Sequence, residues 1–235
     1  MRQEMQFQNE FQMRSPVRKW LEMQGLDQRI EVPLPWGICD VVGASIHQGR
    51  AKKRLRLKQT TTIGSDLKFE LLHRIPETNV SNAIHIDDLV QSFDGYITES
   101  QVVTSVAELA KKKFVLLTAN NTVSKQNGWH PLTKKLIAVE LKLTRFEEVL
   151  QQAISTKQLT SNSFAAMPRQ IANRIARSDT ARDSLRVNGI GLLAVSKTKC
   201  DQLIKPTASE IKVKLPAQMQ CVERFWKTFI KDKTS

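Results

Sequence analysis

The apolar positions of this chain recur at two spacings, and the switches between them mark its elements. Phe7 and Phe11 lie four apart, and Val17, Trp20 and Leu21 continue the stripe, which predicts a helix ending at Gly25. Ser15-Pro16 has the form of a cap followed by proline at a first helical position, so a new helix or a kink is expected there. Residues 29–34 alternate with period two, Pro35-Trp36-Gly37 supplies a turn, and residues 38–46 read as a second strand. Further on, residues 135–143 are apolar on both faces and predict a buried strand. Residues 145–159 predict a helix whose Phe146, Val149, Leu150, Ala153 and Ile154 face a core. A short strand over 163–168, a basic helix over 170–186 and a strand over 189–195 follow. Met219, Val222, Phe225, Trp226, Phe229 and Ile230 form one face of a last helix.

The stretch between these two parts has a different pattern. Six of the nine residues from 50 to 58 are basic, and a polar run over 59–65 follows, which predicts a linker or boundary. Leu67, Leu71 and Leu72 suggest a first helix, and Ile86, Leu89 and Val90 a second that opens at His85-Ile86-Asp87-Asp88. Thr98 or Ser100 caps a third, which carries Val102, Val103, Val106, Leu109 and Ala110 and closes on Lys111-Lys112-Lys113. Residues 114–118 are strand-like, and Asp94-Gly95, Asn120-Asn121 and Asn127-Gly128 are turn signals. Three helices followed by a hairpin resemble a winged helix-turn-helix over about 66–130.

Composition sets bounds on this picture. The 235 residues are 40% hydrophobic and 25% charged, the composition of a globular chain and not of a disordered one. No apolar run reaches the roughly 20 residues of a membrane span, and the N-terminus lacks the order of a secretory signal. Cys39, Cys200 and Cys221 show no paired spacing, which argues against a zinc module or a disulfide framework and makes a reducing, intracellular setting the default. His47, His73, His85 and His130 are far apart and read as surface or packing residues. Lys and Arg number 36 against 23 Asp and Glu, a net charge of +13. That excess favours a polyanionic partner, nucleic acid first and anionic lipid second.

Three residues break the apolar strands. Glu140 and Lys142 lie on one face of the 135–143 strand, with Leu141 pointing away, and Asp40 interrupts residues 38–42. Burying an unpaired charge costs several kcal/mol, so the break needs a cause. It is a local ion pair at a strand end, a pair of solvent-facing residues on an exposed side, or the two carboxylates and lysine of a hard-metal phosphodiesterase site. Mg²⁺ needs only one or two carboxylates plus a carbonyl; it acidifies water and polarises phosphoryl oxygen, and a neighbouring lysine stabilises the charge that develops.

Three matching stretches are Val17-Arg18-Lys19-Trp20-Leu21-Glu22-Met23-Gln24-Gly25, Ile38-Cys39-Asp40-Val41-Val42-Gly43 and Val139-Glu140-Leu141-Lys142. With the order helix, hairpin, strand, helix, strand, the chain resembles the PD-(D/E)XK nuclease superfamily. That resemblance implies an α/β fold with a restriction-endonuclease-like αβββαβ core and an inserted, mainly α winged-helix domain. It implies Asp40 and Glu140 as metal ligands, the Leu141 carbonyl as a third, and Lys142 as the catalytic lysine. The family often adds a glutamate from the first helix and a glutamine from the helix after the strand. Glu10 and Gln152 match best, with Glu22 and Gln151 as competitors. Cys39 stands where the family has proline. The gap of about a hundred residues between Asp40 and Glu140 is far longer than a loop, and the inserted domain accounts for it.

The expected organisation is then a core in two parts, 1–49 and 134–235, with a basic linker and winged helix over 50–133. The expected activity is a Mg²⁺-dependent DNA endonuclease, with Mn²⁺ as substitute. Double-stranded DNA is the substrate and a homodimer the simplest route to double-strand cleavage. By resemblance the setting is a prokaryotic cytoplasm, in phage, mobile-element, restriction or repair biology. Lys52, Lys53, Arg54 and Arg56 would hold phosphate, Ser100, Gln101, Thr104 and Ser105 would reach bases, and Lys125 would sit on the wing. The rival is a non-catalytic DNA-binding regulator on a nuclease-like fold.

Overall fold

In the computed structural model, which describes residues 7–77, 83–93, 95–126 and 131–234, the first helix, α1 (Phe11–Glu22), buries Met13, Val17, Trp20 and Leu21 along one face. Pro16 lies inside it and Glu10 occupies the N-cap, so the expected start at Ser15 does not occur. The missing proline N–H costs a single helical bond, and the buried Pro16 ring stays within the apolar stripe. Strands β1 (Asp27–Leu34) and β2 (Gly37–Ile46) form the antiparallel hairpin, with Leu34 opposite Gly37 at its tip. Gly43 permits the close approach of α1, because a Cβ there would lie 2.8 Å from Leu21 Cδ2.

The chain then enters a second unit. The basic run is helix α2 (Gln48–Arg56), not a linker, and the His47 side chain accepts from the Arg50 N–H at 3.4 Å. The polar run after it is packed as well: Gln59 is fully buried and donates to the Lys113 carbonyl, and Ile63 is buried. Next come α3 (Asp66–Arg74), β3 (Ile84–His85), α4 (Ile86–Gln91), α5 (Glu99–Lys111), β4 (Val115–Leu117) and β5 (Thr122–Lys125). The strands form a small sheet in the order β3-β5-β4. Thr98 caps α5 in a reciprocal box with Gln101, and His85 caps α4 ahead of Asp87 and Asp88. Asp94, Asn127, Gly128 and His130 lie outside the described residues.

Strand β6 (Thr133–Leu141) returns to the first unit. Helix α6 (Phe146–Thr156) leads to β7 (Ser163–Pro168), which pairs with β6 in parallel. Helices α7 (Arg169–Arg177) and α8 (Asp179–Val187) replace the single basic helix expected, because the Ser178 side chain caps the second at Ala181. Strand β8 (Gly191–Val195) pairs with β7 in parallel, and β9 (Cys200–Ile204) pairs with β8 antiparallel. The fold is mixed α/β, with a mixed sheet in the order β1-β2-β6-β7-β8-β9.

Side-chain alternation gives this sheet two cores. Ile137, Val139, Leu141, Phe164 and Leu193 pack with Trp20 and Leu21 of α1. Ala165, Met167 and Leu192 pack instead with Val149 and Ala153 of α6 and with Ala172 and Leu185 of α7 and α8. Helix α9 (Leu215–Thr234) ends the chain. The compact units are Met1–Ser45 with Lys134–Gln218, and Ile46–Thr133 with Met219–Ser235. The last helix, expected wholly within the core, therefore contributes most of its length to the second unit. Glu223 is the reason: it holds the buried Arg54 guanidinium in an ion pair and accepts from the Ile63 N–H at 3.2 Å. No helix of the described residues is long and apolar enough to cross a membrane.

Candidate active site

Three elements of the first unit bring charged residues together. Asp40 stands in the middle of β2, and its Oδ2 accepts the backbone N–H of Leu141 at 2.8 Å. Glu140 occupies the penultimate position of β6 and is 2% exposed. Lys142 follows the strand, and its Nζ lies 3.3 Å from Oε2 of Glu10 at the start of α1. Asp40, Glu140, Lys142 and Glu10, about a hundred residues apart along the chain, thus form one cluster.

Burial sets the electrostatics here. It pushes the Glu140 carboxyl up to about 8, with the Asp40 carboxyl as the next cause; the Cys39 thiol and the Asp40 backbone oppose it. Burial also raises Asp40, against the Leu141 N–H, Lys142 and Arg14, while Glu10 adds to the rise. The neighbouring Asp40 carboxylate disfavours a second negative charge on Glu140. Glu140 Oε2 has no hydrogen-bond partner among the described residues.

This donor set fits a hard dication. Two adjacent carboxyl groups, one with an orphaned buried oxygen, supply what Mg²⁺ takes from a protein while keeping most of its waters. Among the described residues no cage of three or more His, Cys, Asp or Glu is present, and such an ion does not require one. Leu141 is buried beside the pair and tied to Asp40 through its N–H.

Gln152 of α6 lines the same pocket as Glu140, a space of about 130 Å³ that Leu34, Trp36 and Ile38 of the hairpin tip also border. Gln151 and Glu22 are exposed, and neither bonds to Asp40, Glu140 or Lys142 among the described residues. Two participants were missed by sequence reading. Arg14 Nη2 lies 2.8 Å from Glu31 Oε1 and 4.0 Å from Asp40 Oδ1. Its spacing of four from Glu10 puts both on one face of α1, a signal the sequence did contain. Glu31 has φ 50, a left-handed conformation inside a strand, and nothing local in the sequence announces it.

The second unit corrects several expected DNA contacts. Arg54 is 3% exposed, bonded to Glu223, Gln59 and Thr61, with the Trp226 ring 4.5 Å and the Phe114 ring 4.9 Å from its guanidinium carbon. It is a core residue, because α2 turns Ala51 and Arg54 inward together. Ser105 is buried on the inner face of α5, and Gln101 is engaged with Thr98 in the helix cap. Lys125 is buried in β5, where burial pulls its ammonium below the usual lysine range, so it is no wing-tip cation. Lys52, Lys53, Arg56, Ser100 and Thr104 are exposed. No family model, curated protein or solved structure matches the chain.

Proposed function

We propose that the chain is a divalent-metal-dependent DNA endonuclease whose inserted unit binds DNA. The observation that carries this reading is the meeting of Asp40, Glu140, Lys142 and Glu10 from β2, β6 and α1 beside a pocket that Gln152 shares. The order α1-β1-β2-β6-α6-β7, with β6 and β7 parallel through α6, supports it as the order of a restriction-endonuclease-like αβββαβ core. The order α3-β3-α4-α5-β4-β5 supports a winged helix in the same way.

Each residue then has a chemical task. Asp40 and Glu140 hold the ion, which when bound supplies Lewis-acid charge at the phosphodiester and acidifies water. Lys142 directs its ammonium at the charge that builds on the phosphoryl oxygens, and Glu10 keeps that side chain in place. Gln152 offers an amide to the attacking water or to a phosphate oxygen. Arg14, held by Glu31, adds a second cation near Asp40. In the second unit Lys52, Lys53 and Arg56 bind phosphates, and Ser100 and Thr104 of α5 face the groove.

Supercoiled plasmid incubated with Mg²⁺, Mn²⁺ or chelator tests this. The expected result is metal-dependent nicking or linearisation that Glu140→Ala and Lys142→Ala both abolish. Gel shifts without cutting would favour the DNA-binding regulator. Cutting that survives both substitutions would place the chemistry elsewhere.

A further inference from the structure

The pocket beside Glu140 is lined by two residues that each hold a buried polar atom with no partner among the described residues. One is an acceptor, Glu140 Oε2, and the other a donor, Trp36 Nε1. Both atoms lack accessible surface, so the side chains that carry them, and not the atoms themselves, face the space. On the proposed function a metal would engage Glu140, which leaves the rest of the lining for a second occupant.

The remaining lining describes the second occupant. Leu34, the Trp36 indole and Ile38 make an apolar wall at the hairpin tip, and Ile38 is 65% exposed although it is a large apolar residue. Lys214 Nζ lies 5.6 Å from the Trp36 ring centroid, which adds positive charge at that wall. Across the pocket α6 presents the Gln152 amide and the Ser155 hydroxyl. Ser155 donates to the Gln151 carbonyl at 3.1 Å, so its oxygen remains an acceptor. Apolar walls that include an indole ring, an amide and a hydroxyl acceptor suit a flat heterocycle with donors and acceptors along its edge. In a chain of net charge +13 the abundant compound of that class is a nucleobase.

We infer that this pocket receives one unpaired nucleobase, that of the nucleotide beside the scissile phosphate. The inference rests on the nuclease reading for the position of that phosphate. A base stacked within a duplex cannot enter a pocket of about 130 Å³ next to a buried carboxylate without leaving its stack. The preferred substrate is accordingly a single strand, a flap or a mismatched junction, not continuous duplex.

Oligonucleotides that carry 2-aminopurine at one position, either unpaired or paired, provide the test. They are titrated with the full chain in chelator, so that no cutting occurs. Ser155→Phe fills the pocket from an exposed helical position, and Ile38→Ser at the exposed tip is a second variant should the first fail to fold. Unpaired probe should bind about tenfold tighter than paired probe, with altered fluorescence, and either variant should erase both effects. Equal affinity for the two probes, or a preference that survives both variants, overturns the inference. Cutting assays separate the two claims. Metal-dependent cutting that Lys142→Ala abolishes but that is blind to pairing removes the pocket and leaves the nuclease. An unpaired-base preference that Ser155→Phe erases, in a protein that cuts nothing, leaves a base-binding pocket and removes the nuclease.

Discussion

A carboxyl group that is 2% exposed beside a second carboxyl keeps its proton up to about pH 8, whereas in the unfolded chain it loses it near 4.5. Folding therefore takes up a proton between those values, and the stability of the metal-free protein falls as pH rises from 4.5 to about 8. Glu140→Gln removes the titration and keeps the shape. Its melting temperature should depend less on pH across that window and should exceed that of the parent by about 3 °C or more near the upper end. Parallel pH profiles for the two proteins in differential scanning fluorimetry would refute the assignment. A dication competes with the same proton, so Mg²⁺ affinity should rise with pH over the same range. Asp40, Glu140 and Lys142 were legible in the sequence because a charge in an apolar strand conflicts with the cost of burying it. Arg14 and Glu31 were not, since neither charge breaks an apolar run.

Helix α2 separates two kinds of basic residue that a charge run alone does not distinguish. Arg54 is enclosed by Glu223, Trp226 and Phe114, and Arg54→Ala would leave the 6% exposed Glu223 carboxylate without its main partner. We expect a loss of about 3–5 kcal/mol in a urea titration, with aggregation or an unfolded second unit as the extreme case. Lys52→Ala, Lys53→Ala and Arg56→Ala lie on the exposed side and should change stability by less than about 0.5 kcal/mol. Each should instead weaken DNA binding and lower the log K against log[salt] slope by about one, read by fluorescence anisotropy. An unchanged slope in all three would remove α2 from the interface. Helix faces explain what could be read at this scale. The inward pair Ala51 and Arg54 has helical spacing, but a lone arginine on a short basic helix looks solvated until α9 supplies its counter-charge. Strand β9 escaped detection for a related reason: Asp201 and Gln202 interrupt its apolar pattern, and Asp201 is held by Arg169 and Lys199.

Across the whole chain, the insertion was legible because about a hundred residues between two strands of one sheet is no loop. The return of the chain to the second unit after Gln218 was not, because an apolar stripe on a final helix does not say which core it covers. The interleaving has a consequence for synthesis. A ribosome releases Asp40 first, then residues 46–133 of the second unit, then Glu140 and Lys142, and only at the end the helix that carries Glu223 back to that unit. A nascent or prematurely terminated product ending before β6 would carry Arg54 without Glu223 and Asp40 without Glu140, so neither unit would be complete. On the proposed function, every residue of the hydrolytic centre is released before the last helix completes the unit that directs it.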